Sequence, residues 1–421
     1  MQPDHLSSTR FADLPLQPSL QASLVQLGYT HCTPIQAQAL PRALAGEDLA
    51  GQAQTGTGKS AAFLLATMNH LLTHPRAADD DGRQPRAFIL APTRELAVQI
   101  HNDALGLGSQ TGLRMVVCYG GAGYELQRQN IEAGVDILIG TPGRLIDYYK
   151  QGTYHLKQIE VLVLDEADRM FDLGFIADIR YLIRKMPPAA QRKNYLFSAT
   201  LSHRVLELAF EHMNNPQKIE IEPDQVTAER VRQELVHVAN DEKLPFLVGL
   251  LRHRNAFRTL VFVNTKRGAE LVESGLKLNG FDARVLSGDV SQGTRLRLLE
   301  DFKQGKLPVL VATDVAARGL HIPGVDLVVN YDLPQDPEDY VHRIGRTARA
   351  GATGDAVSLC CETWVYSLPD IEKYIGNRLP LMADGHALIA SDFVAPKPAP
   401  RRHGGGSSGG RDGRRPARRR H

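Results

Sequence analysis

Short apolar runs alternate with longer segments of helical periodicity along most of this chain, and the alternation occurs twice. The first series of runs falls at 48–53, 87–91, 115–119, 135–140, 161–164 and 194–197, the second at 231–239, 259–263, 283–286, 309–312, 327–330 and 356–359. Several, such as Ala87-Phe88-Ile89-Leu90-Ala91, are apolar at consecutive positions. A strand of that kind has no face to offer to water, which selects a parallel sheet covered on both sides by helices. Between Asn214 and Arg230 the pattern gives way to Asn-Asn-Pro and Pro-Asp, which break helices and favour turns. The expectation is an α/β protein with a parallel-sheet domain over 1–213, a linker over 214–230 and a second parallel-sheet domain over 231–381.

After Leu381 the apolar periodicity fades, and from Ala395 onward Pro, Gly, Ser and Arg dominate without an aromatic residue. Such a segment cannot bury enough apolar surface to offset its ordering entropy, so 382–421 is expected to be a disordered basic tail. Residues 401–421 hold eight arginines against one acid, Asp412, so the formal net charge of +2 conceals a net −5 over the preceding 400 residues. The near-neutral total therefore does not exclude a nucleic-acid partner.

Four cysteines (Cys32, Cys118, Cys360 and Cys361) with no Cys-x-x-Cys pair give neither a disulfide framework nor zinc-ligand spacing, which suits a reducing compartment. The N-terminal residues lack the basic start and apolar run of a signal peptide, and no apolar stretch approaches the roughly 18 residues that span a bilayer. The sequence reads as a cytoplasmic protein without a membrane partner.

Ala53-Gln54-Thr55-Gly56-Thr57-Gly58-Lys59-Ser60 follows an apolar run and opens an apolar helical segment. A glycine-rich loop in that setting can curl its backbone N–H groups and the helix N-terminus toward phosphates, with Lys59 reaching the β and γ groups and Ser60 a magnesium ion. Ala53 stands where the pattern usually has its first glycine, and a glycine-rich turn without a ligand is the alternative. The run ending at Leu164 is followed by Asp165-Glu166, which would let Asp165 bind Mg²⁺ while Glu166 polarises an attacking water. Taken alone, an acid pair at a strand end is also what a solvated turn looks like.

Asp165-Glu166-Ala167-Asp168 is in addition a family signature, and with the motifs around it the chain resembles the DEAD-box RNA helicases from Phe11 to Gly351. The resemblance implies two tandem RecA-like domains, ATP and Mg²⁺ as cofactors, RNA as partner, and RNA-stimulated ATP hydrolysis that unwinds short duplexes. In Gly28-Tyr29-Thr30-His31-Cys32-Thr33-Pro34-Ile35-Gln36 it implies an adenine-recognising segment, with Gln36 reading the adenine edge and Phe11 near the ring. A glutamine amide offers a donor and an acceptor together, which suits adenine and not guanine. Pro92-Thr93-Arg94-Glu95-Leu96-Ala97, Gly120-Gly121 and Thr141-Pro142-Gly143-Arg144 are implied to line the RNA path on the first domain. Gln292-x-x-Arg295, with Thr313 and Arg318 from Ala312-Thr313-Asp314-Val315-Ala316-Ala317-Arg318-Gly319, would line it on the second. Ser198-Ala199-Thr200, with Asp168 and His342, would link the ATP site to unwinding.

His342-Arg343-Ile344-Gly345-Arg346-Thr347-Ala348-Arg349 also carries a physical argument. A helix beginning near Pro337 would place Arg346 and Arg349 on one face at i and i+3. Arginines across a cleft from a triphosphate can stabilise charge developing on the γ-phosphoryl group, a role worth about 10³ to 10⁵ in rate. The chain departs from the family pattern at His321, where most members carry an aspartate with a ribose contact, and at Ala348, where glycine is frequent. His31-Cys32-Thr33-Pro34, Ala317-Arg318-Gly319-Leu320-His321-Ile322-Pro323, Asp172-Leu173-Gly174-Phe175-Ile176 and the Arg-rich tail resemble the branch associated with the bacterial RNA degradosome. That branch implies assistance to mRNA decay, with the second domain docking on a segment of RNase E. A non-catalytic RNA clamp and a DNA-directed helicase stay open at this point.

Overall fold

Runs that are apolar at every position become strands whose alternate side chains feed two different cores. In the computed structural model, which describes residues 6–53, 57–77, 80–121, 123–221, 231–255, 257–287, 290–317, 325–347 and 354–396, Ala87 and Ile89 pack into one cluster while Phe88 and Leu90 pack into another on the opposite face of the sheet. Val161 and Val163 part from Leu162 and Leu164 in the same way. The second half repeats the device, with Val309 and Val311 on one face and Leu310 and Ala312 on the other. Each such side chain contributes about 1.5–3 kcal/mol relative to leaving it in water, which is why these strands carry no polar alternation.

The first sheet has strands β1 (Leu49–Gln52), β2 (Ala87–Leu90), β3 (Met115–Cys118), β4 (Ile137–Gly140), β5 (Val161–Asp165), β6 (Lys193–Ser198) and β7 (Gln217–Glu220), ordered β3-β4-β2-β5-β6-β1-β7. The second has β8 (Val231–His237), β9 (Thr259–Phe262), β10 (Ala283–Leu286), β11 (Val309–Ala312), β12 (Leu327–Asn330) and β13 (Gly354–Cys360), ordered β10-β11-β9-β12-β13-β8. All the pairings are parallel, with helices between strands on both faces, giving two tandem RecA-like domains.

Two boundaries differ from the sequence expectation. β7 lies inside the segment read as linker and extends the first sheet: Gln217 donates to the Asp48 carbonyl at 2.7 Å and Ile221 to that of Gln52 at 3.1 Å. Only Ile219 of this edge strand is buried, so it leaves almost no hydrophobic pattern to read. The remainder of that segment, 222–230, lies outside the described residues. At the other end, 382–394 belongs to the second domain and not to a disordered tail. Asn279 pairs with both backbone groups of Val394 at 2.9 and 3.0 Å, Arg252 meets Asp392 at 2.7 Å, and Phe393 packs against the core. The Leu388 carbonyl lies so close to Gly249 that a Cβ there would fall 1.6 Å from its oxygen. The Arg-rich stretch 401–421 lies outside the described residues.

Parallel sheets of this kind bind ligands beyond the carboxyl ends of their strands. Ala53, Pro92, Gly120, Thr141, Glu166 and Ala199 all follow the ends of first-domain strands, and Asn264 and Thr313 those of β9 and β11. Among the described residues no helix is long and apolar enough to cross a membrane.

Candidate functional site

At the end of β1, the helix Lys59–Thr73 begins at Gly58, which is left-handed at φ +92°. A Cβ at Gly58 would lie 2.4 Å from Gln36 Nε2 and 3.0 Å from Thr33 Oγ1, so both its backbone and its surroundings require glycine. Gln36 is the third residue of the helix Pro34–Leu44. Its Oε1 accepts from the Thr33 N–H at 2.9 Å, and its Nε2 donates to the Gly58 carbonyl at 3.0 Å. The side chain read as the adenine contact thus also braces the glycine-rich loop, and its amide retains a lone pair and an N–H for a ligand. Phe11 is buried and stacks on Tyr29 with ring centroids 6.5 Å apart. Lys59 is only 5 % exposed and donates to the Ala53 carbonyl at 2.6 Å, with half-buried Thr57 and Ser60 on either side. Gln54, Thr55 and Gly56 lie outside the described residues.

Asp165 and Glu166 are both buried, and Glu166 sits in the left-handed region at φ 53°, ψ 52°. Holding a non-glycine there costs on the order of 1–3 kcal/mol, a strain that turns the carboxylate at the strand end. Burial pushes the Asp165 carboxyl up to about 7, against the pull of Lys59, with the Glu166 charge adding to the rise. Burial acts on Glu166 as well, but Arg169, Lys59, Arg346 and His342 together hold it below the usual carboxylate range. The neighbours are thus driven apart, and the one kept ionised is Glu166. Ser60 and Asp165 offer hard oxygen donors of the kind Mg²⁺ takes. Mg²⁺ commonly takes one or two carboxylates together with phosphates and water and needs no all-protein cage. The residues present fit a magnesium nucleotide.

Asp168 joins the ends of β5 and β6. Its backbone N–H donates to Ser198 Oγ at 3.2 Å, and its carboxylate accepts from the Ala199 and Thr200 N–H groups at 3.2 and 3.3 Å. From there a cleft of about 400 Å³ opens between the domains, lined among others by Asp168, Thr200, Glu338 and His342. The residues read as coupling groups therefore meet in one place.

The helix carrying the arginine motif starts at Pro337 as expected but ends at Ile344, two residues short of Arg346. Gly345 follows as C-cap, and the Thr347 hydroxyl donates to the Val325 carbonyl at 2.7 Å. Arg346 lies in the turn beyond, 3 % exposed and within electrostatic reach of Glu166. Arg349, like Arg318, His321 and Ala348, lies outside the described residues.

On the other side of the cleft, Thr93 caps the helix Arg94–Leu107 by accepting from the Leu96 N–H, directly after buried Pro92. The Arg94 guanidinium lies over the Gly120-Gly121 turn, where a Cβ on Gly121 (φ +91°) would lie 2.3 Å from Nη1. Thr141 and Pro142 are buried, whereas Gly143 is exposed and Arg144 half-buried. In the second domain the Thr313 carbonyl accepts from Ala316 and Ala317. The side chain of Gln292 lies outside the described residues. Arg295 reaches across the cleft to Glu95 at 2.8 Å and donates to the Ala316 carbonyl at 2.6 Å, with both side chains of the ion pair largely buried.

Sequence reasoning named Glu95 only as part of a segment implied to line the RNA path, and gave Arg343 no role of its own. Arg343 is 1 % exposed, and it grips both Asp314 carboxylate oxygens at 2.6 Å, the Asp332 carbonyl at 2.6 Å and Asn264 Oδ1 at 2.7 Å. Lys243, equally buried, pairs with the Asp332 carboxylate. The signal was its place in the helix: Arg343 falls between buried Tyr340 and Ile344, on the inward face.

A family profile described as DEAD/DEAH box helicase matches residues 33–208, and one described as helicase conserved C-terminal domain matches 242–351. The chain is 55 % identical over 405 residues to the ATP-dependent RNA helicase RhlB of Sodalis glossinidius, covering 96 % of this chain and 98 % of that one. It is 56 % identical over 412 residues to the RhlB of Idiomarina loihiensis, covering 98 % and 96 %. Among solved structures, S. cerevisiae Dbp5 bound to RNA and ADP BeF3 is similar at a TM-score of 0.77 and 32 % identity, covering 89 % of this chain and 96 % of that one.

Proposed function

The chain belongs to the DEAD-box family of ATP-dependent RNA helicases, and we propose that its two domains close on magnesium ATP and RNA together, so that hydrolysis is coupled to local separation of short duplexes. The observation that carries this reading is the cleft between the domains, lined by Asp168 and Thr200 of the first and by Glu338 and His342 of the second and bridged by the Glu95–Arg295 pair at 2.8 Å. In it Gln36 and Phe11 hold the adenine, 53–60 the phosphates, and Ser60 and Asp165 the Mg²⁺, which when bound neutralises phosphate charge. Glu166 orients and deprotonates the attacking water, and Arg346 with Arg349 stabilises charge on the departing phosphoryl oxygens. RNA is held along Arg94, Gly121, Thr141–Arg144 and the second-domain groups through its sugar-phosphate backbone, which explains tolerance of sequence. ATP hydrolysis with and without RNA, and strand displacement on matched RNA and DNA duplexes, test the reading. Equal displacement of both duplexes would remove the RNA specificity.

Closure depends on the ion pair across the cleft. Glu95→Ala leaves Arg295 without its carboxylate, and losing one partner of a buried pair costs about 3–5 kcal/mol before relaxation. Reopening of the cleft lets water recover part of that, so RNA affinity in the presence of ATP is expected to fall roughly 10-fold. Titration of ATPase rate against RNA checks it, and an unchanged half-saturation point would show that the pair does not support closure.

Assistance to RNA decay in the cytoplasm, with RNase E docked on the second domain, follows from the resemblance to the degradosome-associated branch, and that domain exposes Tyr366 in the short turn Val365–Ser367 and Tyr374 in the helix Leu368–Ile375. Failure of purified RNase E to bind the protein would eliminate that partner. The arginines of 401–421 act as a tether for RNA. Neutralising phosphates releases counterions, so removing these residues should flatten the salt dependence of RNA affinity, and an unchanged salt slope would refute the tether.

A further inference from the structure

We propose that Tyr124, which belongs to none of the recognised motifs, is a positioning residue for RNA binding: with Tyr148 it holds the Arg144 guanidinium in the orientation that meets the RNA backbone. The Arg144 guanidinium carbon lies 4.7 Å from the centre of the Tyr124 ring and 5.4 Å from that of Tyr148. Its Nη1 donates to the Tyr148 hydroxyl at 3.2 Å, and that hydroxyl donates in turn to the Tyr124 carbonyl at 2.8 Å. The two rings are 4.9 Å apart and tilted by 42°. Tyr148 is fully buried, while Tyr124 is half-buried, and its hydroxyl accepts from the Gln151 amide.

The chain brings these groups together from two of the loops at the sheet's carboxyl edge. Tyr124 opens the helix Tyr124–Glu132 just after the Gly120-Gly121 turn, and Arg144 lies in the first turn of the helix Pro142–Lys150. A guanidinium held over aromatic rings, with one N–H given to the Tyr148 hydroxyl, keeps its remaining N–H groups for a phosphate. Among the described residues no carboxylate pairs with Arg144, so its charge is not cancelled locally. Side-chain immobilisation that would otherwise fall on binding has already occurred in the free protein, and this is how a residue that never touches RNA can raise affinity.

The inference rests on the reading of Arg144 as an RNA contact, and the test separates the two. Binding of a labelled single-stranded RNA oligonucleotide with a non-hydrolysable ATP analogue is measured for Tyr124→Leu, Tyr124→Phe, Arg144→Ala and the Tyr124→Leu/Arg144→Ala double variant. RNA-stimulated ATPase is measured alongside. Tyr124→Leu is expected to weaken RNA about threefold to tenfold with kcat at saturating RNA unchanged. Tyr124→Phe, which keeps the ring, should bind within about twofold of the native protein. In the Arg144→Ala background Tyr124→Leu should have no further effect, because the group it positions is gone. Multiplying effects in the double variant, a loss in Tyr124→Phe equal to that in Tyr124→Leu, or a parallel fall in kcat would overturn the proposal. If Arg144→Ala weakens RNA and Tyr124→Leu does not, the positioning role fails while Arg144 stands. If Arg144→Ala binds RNA normally, both fail.

Discussion

Glu166→Gln is expected to slow RNA-stimulated ATP hydrolysis by at least about 100-fold while ATP and RNA stay bound, since a positioned general base contributes roughly 10² to 10⁴. The substitution keeps the size of the side chain and the polar atoms that face Arg169, so the left-handed turn at the end of β5 need not move. What it removes is the ability to take a proton. Arg169, Lys59, Arg346 and His342 hold Glu166 in the ionised form despite its burial, and two of the four come from the second domain. The base is therefore fully prepared only when the cleft is closed, which ties hydrolysis to the event that RNA favours. The neighbouring acid sharpens the expectation. The Glu166 charge is one of the causes that raise the Asp165 carboxyl, so neutralising Glu166 makes Asp165 easier to ionise and a Mg²⁺ ligand easier to form. ATP affinity should hold or rise as turnover collapses. Steady-state ATPase with separate nucleotide and RNA binding measurements distinguishes these quantities, and near-normal turnover in purified Glu166→Gln protein would sink the assignment.

The parts of the molecule that were legible in sequence are those whose physics is local. Fully apolar runs announced the internal strands, because a strand covered on both faces has no other way to be written. β7 escaped because a strand at the sheet edge needs just one buried side chain, and Ile219 alone does not make a period. The end of the arginine helix escaped for a different reason. Gly345 is the one local stop signal in Ile344-Gly345-Arg346-Thr347, and the bond that anchors the turn beyond it, from the Thr347 hydroxyl to the Val325 carbonyl, has a partner distant in sequence.

The same division runs through the site. Lys59, Asp165 and Asp168 stand in motifs with fixed spacing, and the structure places each at the carboxyl edge of the first sheet. The family resemblance marked Gln36 as an adenine contact, but its bond to the Gly58 carbonyl depends on two helices meeting. Glu95 stood in plain view beside Arg94, and its value lies in an arginine about 200 residues further along the chain. Pairings of that kind are set by how two sheets face each other, and composition and period carry no record of it.

The arginine at the centre of the second domain gives the largest expected effect on stability. Arg343 joins the ends of β9, β11 and β12 through Asn264, Asp314 and Asp332, and its guanidinium carbon lies 5.1 Å from the centre of the Phe262 ring. Its helix also leads directly into Arg346. Arg343→Ala leaves the Asp314 carboxylate without its fork and the Asp332 carbonyl without a donor, and breaking a buried pair on one side costs about 3–5 kcal/mol. Lysine should not rescue it, because a single ammonium cannot hold both Asp314 oxygens and reach Asn264 as well. Asp314→Asn in the Arg343→Ala background should recover part of the loss by removing the stranded charge. The chain supplies its own probe. Trp364, its one tryptophan, packs against the second domain's core, so its fluorescence during denaturant unfolding follows that domain and not the first. The transition seen by Trp364 should move to lower denaturant while the unfolding of the first domain, followed by hydrogen exchange, stays in place. A loss below about 1 kcal/mol would mean that water and Lys243 compensate, and that the fork is not what holds the arginine helix to its sheet.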